Sequence, residues 1–508
     1  MKTTEIKKIL DSAFRCAGEF FEYADVLYER VEKTEAKTIG SQTFITPLSV
    51  KARVQMRFLK NGKKVSIKVG QMAEADLCQA VERAKGLWRS AKKPRKPVQF
   101  APIPNTRRKN YAIKPEFDLE DSDPRKVIDA VLKGVGGIAR SFEKKYAHKG
   151  VKINPEVWFY AQDEEKIIAD SEGIFKRQTM PRTFLQVHSK VKSKNGKSTQ
   201  TRVRIADIKG LEALLEPKTT GWKLNRNTRA RIRDWMGKAC ELVEGITLSA
   251  AQISKIDHFV LDYNTLGVFI HEALGHNFEA DAVKAGESGV ADAEGKPRGE
   301  VAAHTVDILD GPAVDAKTRR PDMNTGFGTE LIDDEGVPVK VKTLARKGKV
   351  KGFIHNRETA AYFGKDANGG AFSQLGDSQI CRMSNTYMVP ATEEIVYKDL
   401  RSLIKGISYG IILQGTLGGA VSKDGMSSSI QIGYLIEDGK ITKTVNPANF
   451  SGKSMYALRF VDGCAGDIRI DDVGFCGKGG QHRPVGDGGP RWTRIKANEY
   501  VQLSIQGE

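Results

Sequence analysis

Two histidines and a glutamate fall within one six-residue stretch, HEALGH, at His271, Glu272 and His276. Neutral imidazole nitrogens bind a borderline cation such as zinc, and a carboxylate beside them can take a proton from a metal-bound water. The residue types are therefore those of a hydrolytic zinc site. The spacing is unusual. In HExxH the ligands lie four residues apart, about 40° round a helix, whereas the HExxxH separation of five turns them about 140° apart. A regular helix cannot chelate with that pair, so a π-bulge or a helix end must rotate His276 back, and Gly275 directly before it tolerates such a distortion. By itself the pattern does not separate a ligand pair from two histidines on the surface or in the core. A further candidate is Cys476, in the Gly-dense loop GFCGKGGQHRPVGDGGP at 474–490, with His482 close by. A free cysteine is most often a small buried apolar group, but one held between glycines is well placed to present its sulfur to a metal.

The elements that must position these groups follow from periodicity. The apolar run Leu266–Ile270 precedes His271, so the motif sits on a helix with a buried start. Upstream, Ile6, Ile9, Leu10, Phe14, Ala17 and Phe21 form one helical stripe, and YADVLYERVEKT alternates like a half-buried strand. Asn61-Gly62 and Asn195-Gly196 are hairpin turns between alternating runs. Asp123-Pro124 reads as an N-cap with proline at the first helical position, and one long helix is expected from Asn227 to Ala251. From about 255 onward the chain is Gly-rich, short-stranded and charge-balanced. The expected fold is an α+β N-terminal domain, an antiparallel sheet with helices, followed by a predominantly β C-terminal domain carrying the HExxxH helix. The expected boundaries are 1–105, an N-terminal α+β subdomain; 106–254, a central α+β subdomain with an antiparallel meander; and 255–508, the β-rich domain.

Composition narrows the classes. The 508 residues are 40% hydrophobic and 28% charged, which excludes fibrous and disordered proteins. No run approaches the roughly 18 apolar residues of a membrane span, and the first residues carry charges where a signal peptide needs an apolar block. Six scattered cysteines make no disulfide framework, so a reducing, cytoplasmic setting is expected. The net charge of +18 is uneven: residues 1–250 hold 51 basic and 30 acidic side chains, residues 251–508 hold 30 and 33. Such asymmetry can mark a polyanion-binding face. The basic residues lack aromatic interleaving for base stacking, so nucleic-acid binding is disfavoured against a solvated Lys-rich surface.

Five ordered blocks, HEALGHNFEAD, LIDDEGVP, RMSNTYMVPA, GGAVSKDGMSSSIQIGYLIEDGKITKTV and GFCGKGGQHRPVGDGGP, resemble the TldD branch of the TldD/PmbA family of modulator-of-gyrase metallopeptidases, over about 255–490. DSEGIF at 170–175 and the YADVLYERVEKT strand are similar to the family's N-terminal domain. The resemblance implies a zinc peptidase with one Zn2+ per chain, in which His271, His276 and Cys476 are metal ligands and Glu272 is the general base. It implies action on peptides or unfolded segments, and a homodimer or a heterodimer with a PmbA-type subunit, a type that lacks HExxxH. The segment 284–326 and the basic N-terminal half depart from the pattern.

Other residues are weaker candidates. Arg382, Asn385 and Tyr387 are of types that polarise a carbonyl or hold a peptide, and His482 could touch substrate or simply be a solvated loop histidine. Glu279 and Asp281 could orient the histidines or face water. Cys464 is a rival ligand outside the matched blocks, His304 and His355 sit in alternating runs, and SKDG at 422–425 is a turn before it is a site. Two other functions remain: a non-catalytic peptide-binding subunit, disfavoured by the complete His, Glu and Cys set, and a nucleic-acid binder, which has no recognised motif.

Overall fold

In the computed structural model, the described residues are 3–94, 96–104, 106, 108–315, 320–323, 325–422, 425–446, 448–452 and 456–505. The chain opens with helix α1 (Thr3–Gly18), strands β1 (Tyr23–Ile39), β2 (Gln42–Lys60) and β3 (Lys63–Val69), and helix α2 (Glu74–Ser90). A short strand β4 (Asn110–Ala112) and helix α3 (Pro124–Lys145) lead into the meander β5 (Lys152–Asp170), β6 (Phe175–Lys192) and β7 (Ser198–Asp207). The hairpin β8 (Leu215–Lys218) and β9 (Gly221–Leu224) precedes helix α4 (Arg226–Glu241). Among the described residues, β1 to β7 form one seven-stranded sheet in the order β3-β2-β1-β5-β6, with β4 and β7 both paired to β6.

Local signals place these elements. Asp123 caps α3 by accepting from Arg125 N, and Asn61 and Gly62 take the positive φ values, 48° and 68°, that a two-residue turn between β2 and β3 requires. The expected long helix from Asn227 to Ala251 stops earlier. After α4 a 3₁₀ turn closes at Gly245, and Ile246 donates its N–H to Thr444 O, so a pairing with the C-terminal half replaces the last helical turns.

Strand alternation divides the sheet into two faces. On β5, Val157, Phe159, Ala161, Ile167 and Ala169 point to the helices, where α3 with α4 and α1 with α2 cover two separate apolar cores. The intervening residues, Trp158, Tyr160, Glu164, Lys166 and Ile168, point the other way and meet the C-terminal half. The N-terminal half thus holds two separate cores under one continuous sheet, to both of which β5 contributes, and β1 pairs antiparallel with β5.

The C-terminal half is predominantly β. A short helix, α5 (Ala250–Ile253), precedes strand β10 (His258–Asp262), helix α6 (Tyr263–Ala273), a 3₁₀ turn over Gly275–Phe278, and helix α7 (Ala280–Ala285). The strands that bear on the site are β11 (Val306–Asp310), β12 (Asn385–Pro390), β13 (Tyr409–Ser422), β14 (Gly425–Glu437), β15 (Val461–Lys478) and β16 (Gln481–Lys496). They lie side by side as β11-β12-β16-β10-β13-β14 within a thirteen-stranded sheet of the described residues, and β15 pairs with β16. Against this sheet lies α6, with Leu266, Phe269, Ile270 and Ala273 all buried in the main C-terminal core. Each large side chain so buried contributes about 1.5–3 kcal/mol. Among the described residues, no helix is long and apolar enough to cross a membrane.

Candidate metal centre

The motif helix is fixed at its start by Asp262, whose side chain accepts from Thr265 N at 2.9 Å, and it ends at Ala273. Leu274 leaves helical geometry at φ −122°, ψ −41°, and the chain tightens into the 3₁₀ turn that carries His276. The break at Gly275 expected from the five-residue spacing is therefore present, as a helix end. A Cβ on Gly275 would collide with the Met383 thioether, so close packing against that side chain also requires glycine here. The break brings the two imidazoles to a centroid separation of 5.1 Å, with planes nearly perpendicular at 89°.

Cys476 arrives from a different element than expected. Residues 474–490 are not a loop but the two arms of the β15–β16 hairpin, which turns through Gly479 and Gly480 at φ +59° and +77°. Glycine density conceals the strands, because the turn and the close approach of neighbouring backbones both exclude side chains. The sulfur lies 3.6 Å from His276 Nε2, and one ligand atom from each of His271, His276 and Cys476 falls within 4.8 Å of the others. His271 and Cys476 are buried, whereas the His276 side chain keeps a quarter of its surface exposed, which leaves the cluster open on that side.

Both imidazoles are held from behind. His271 donates from Nδ1 to Asp487 Oδ1 at 3.0 Å, and His276 from Nδ1 to Glu279 Oε2 at 2.8 Å, so each turns Nε2 inward. Glu279 is fully buried and also receives Lys478 Nζ at 3.0 Å, while Lys478 pairs with Asp281 at 2.7 Å. Asp281 thus acts through Lys478 and the Cys381 N–H and does not touch a histidine. Sequence reasoning named Glu279 but missed Asp487, which lies 216 positions from His271. It is brought there because a Cβ on Gly267, one turn before His271, would sit 2.5 Å from Gly488 N, so only glycine lets α6 press against β16.

Electrostatics favour a thiolate. Burial alone would push the Cys476 thiol up, but His271 and His276 outweigh it and bring it down to about 6. Burial lowers both imidazoles, yet Asp487 and Cys476 raise His271 well above its usual range, and Cys476 with Glu279 raises His276 to about 9. Two imidazole nitrogens and one thiolate, convergent and backed by carboxylates, are a donor set that fits zinc.

Glu272 follows His271 on the last turn of α6 and is half-buried. A Cβ on Gly419 of β13 would come 3.0 Å from its Cγ, so strand and glutamate are in close approach. The other candidates divide. Arg382 is fully buried and donates from Nη2 to Cys476 O at 2.6 Å, so it braces the hairpin from within the fold. Asn385 is buried beneath β16: its amide donates to Gly311 O and Thr329 Oγ1 and its oxygen accepts from Gly328 N. Tyr387 is buried too and donates to Pro312 O at 2.8 Å. Both are buried strand side chains held by partners inside the fold, a correction to the expectation that they bind peptide. His482 is exposed and lines a cleft of about 610 Å³ together with Arg483, Phe475, Trp158, Tyr160 and Lys51. That cleft runs between the N-terminal sheet and the hairpin carrying Cys476. Cys464 is buried on β15 outside the cluster, His355 is buried against Thr359, and His304 is exposed. The SKDG turn at 422–425 includes positions outside the described residues.

Residues 257–497 match the PmbA/TldA metallopeptidase C-terminal domain. A metalloprotease of Methanothermobacter thermautotrophicus is 39% identical over 239 residues, 47% of this chain and 48% of the relative. A zinc metalloprotease TldD homolog of Saccharolobus solfataricus is 30% identical over 246 residues, 48% of this chain and 51% of the relative. The aligned region spans about half the length of these curated relatives. Crystal structures of TldE from Thermococcus kodakarensis and of a putative modulator of a DNA gyrase from Thermotoga maritima share the fold, with TM-scores of 0.73 and 0.71. Each covers 98% of this chain and 100% of its own, at 16% and 18% identity. The matched domain and these relatives place residues 257–497 of this chain with the TldD/PmbA family, and the shared fold extends over the rest.

Proposed function

We propose that the chain is a zinc-dependent peptidase of the TldD type, acting on peptides or unfolded segments. The observation that carries the reading is the convergence of His271, His276 and Cys476, ligand atoms within 4.8 Å, at a helix break beside Glu272. Relatives named as metalloproteases, one of them a zinc metalloprotease, support it. The two imidazoles and the thiolate would hold one zinc per chain, which supplies Lewis-acid polarisation of the water and of the scissile carbonyl. Glu272 removes a proton from the attacking water as its oxygen bonds to the carbonyl carbon. The same carboxyl then delivers the proton to the departing nitrogen as the C–N bond breaks. Asp487 and Glu279 keep each imidazole aimed, and the cleft bordered by His482 and Trp158 receives residues flanking the cut. The chain works beside a second subunit, a copy of itself or a PmbA-type chain.

Substituting Glu272→Gln preserves shape and removes basicity. Peptide hydrolysis is expected to fall about 10²–10⁴-fold while zinc content stays near one per chain. Cys476→Ser is expected to lose the zinc. Glu272→Gln activity within about threefold of the parent would overturn the role of Glu272, and retention of full zinc by Cys476→Ser would overturn the ligand set.

A further inference from the structure

The six cysteines fall into two groups: Cys240, Cys381, Cys464 and Cys476 are buried, whereas Cys16 and Cys78 are half-exposed. Those two are neighbours. Their sulfurs lie 3.0 Å apart, one on α1 and one on α2. The seam between the helices is in register, since Ser12, one turn before Cys16, donates to Glu74, one turn before Cys78, at 2.5 Å. Beneath it Ala13 and Ala17 of α1 and Leu77, Val81 and Ala84 of α2 are buried in one core, so the two helices are held in place from below.

We infer that Cys16 and Cys78 are a dithiol modification site, closing to a reversible disulfide between α1 and α2 when a low-molecular-weight disulfide such as oxidised glutathione is present. The chemistry balances without any other reactant. The Cys16 thiolate attacks one sulfur of the small disulfide, forms a mixed disulfide and expels one small thiolate. The Cys78 sulfur then attacks Cys16 Sγ, the second small thiolate leaves, and a protein S–S bond remains. Two electrons pass from the protein pair to the oxidant, and the two protein protons end on the two small thiols. With its partner held 3.0 Å away, the second step outruns capture by another small molecule. The bond closes a long loop of chain, which restricts the unfolded state and raises resistance to heat.

The test uses the full chain loaded with zinc, exposed to oxidised glutathione, quenched with iodoacetamide and mapped by trypsin without reduction. The expected product is peptide 16–30 linked to peptide 69–83, absent after dithiothreitol, together with a melting temperature several degrees above that of the reduced protein. Cys16→Ser and Cys78→Ser should each lack both the linked peptide and the upward shift. Recovery of Cys16 and Cys78 as separately alkylated or separately glutathionylated peptides would overturn the proposal. The map of the parent protein decides this even where a serine variant folds poorly.

Discussion

At the residue scale, the candidate centre depends on groups that would touch no metal. Asp487 and Glu279 each accept from the outer nitrogen of a histidine and fix which nitrogen faces the sulfur. Substituting Asp487→Asn keeps the volume but weakens the acceptor and its charge, so zinc affinity is expected to fall about 10–100-fold. Competition with a chelating indicator measures this, and an unchanged affinity would contradict the orienting role. The protonation pattern gives a second expectation. Binding must displace the protons of His271, which Asp487 and Cys476 raise well above its usual range, and of His276, raised to about 9, and below about 6 it must also displace the Cys476 thiol proton. Zinc affinity should therefore rise with pH, most steeply below about 6. A flat profile between pH 5 and 9 would refute it. In the protein without zinc the sign reverses: a raised His276 stabilises the fold below its unfolded value near 6.5, and that contribution is lost as pH rises through about 9. The types and spacing of His271, His276 and Cys476 were legible in the sequence because histidine and cysteine are scarce, 8 and 6 in 508 residues, and Glu272 was legible because it adjoins one of them. Asp487 was not, because nothing local in the strand that bears it points at a helix 216 positions away.

At the element scale, glycines decide where helix and strand may touch. A Cβ on Gly267 would meet backbone, Gly488 N at 2.5 Å and Asp487 C at 2.7 Å, and backbone cannot step aside as a flexible side chain can. Gly267→Ala is expected to destabilise by about 1–3 kcal/mol through overpacking. It should also weaken zinc binding, because β16 shifts and draws Asp487 from His271. Gly137 in α3 provides the contrast, since a Cβ there meets nothing within 4 Å. Gly137→Ala should stabilise by roughly 0.5–1 kcal/mol, the helix-propensity gain alone. Denaturant titration of both variants checks the opposite signs, and destabilisation by Gly137→Ala would defeat the argument. The same glycines explain what the sequence concealed. Hairpins at Asn61-Gly62 and Asn195-Gly196 could be read because alternating side chains flank them. The β15–β16 hairpin could not, because Gly474, Gly477, Gly486, Gly488 and Gly489 remove the alternation from its arms. The break after Ala273 was readable for a physical reason: two candidate ligands five residues apart cannot face one point on a regular helix.

At the scale of the whole molecule, the N-terminal sheet and the C-terminal half are joined by buried charge. The sheet face turned away from its helices presents Lys166 and Arg182, and these meet Glu330 and Asp334 of the C-terminal half. Arg483, paired across the hairpin with Cys476, reaches the same Glu330 at 3.2 Å, so the network runs from the sheet to the strand beside the candidate ligand. Burial alone would raise the Glu330 carboxyl, but Lys166, Arg483 and Arg182 outweigh it and hold it down at about 2. Sequence alone placed LIDDEGVP as a block without its partner, since an ion pair such as Lys166–Asp334, 168 positions apart, leaves no local pattern. Glu330→Gln removes the charge and leaves three buried cations short of an anion, so a loss of about 3–5 kcal/mol is expected. The exposed pair Lys133–Asp129, with side chains 79% and 60% accessible, is the comparison, and Asp129→Asn should cost less than about 1 kcal/mol. The pH dependence identifies the cause. A depressed carboxyl contributes stability that is present above its unfolded value near 4.3 and is lost as pH falls through about 2. The gap between parent and Glu330→Gln should therefore be full at pH 7 and narrow steadily below about pH 4. A gap unchanged at pH 3 would mean that packing, not charge, joins the two halves.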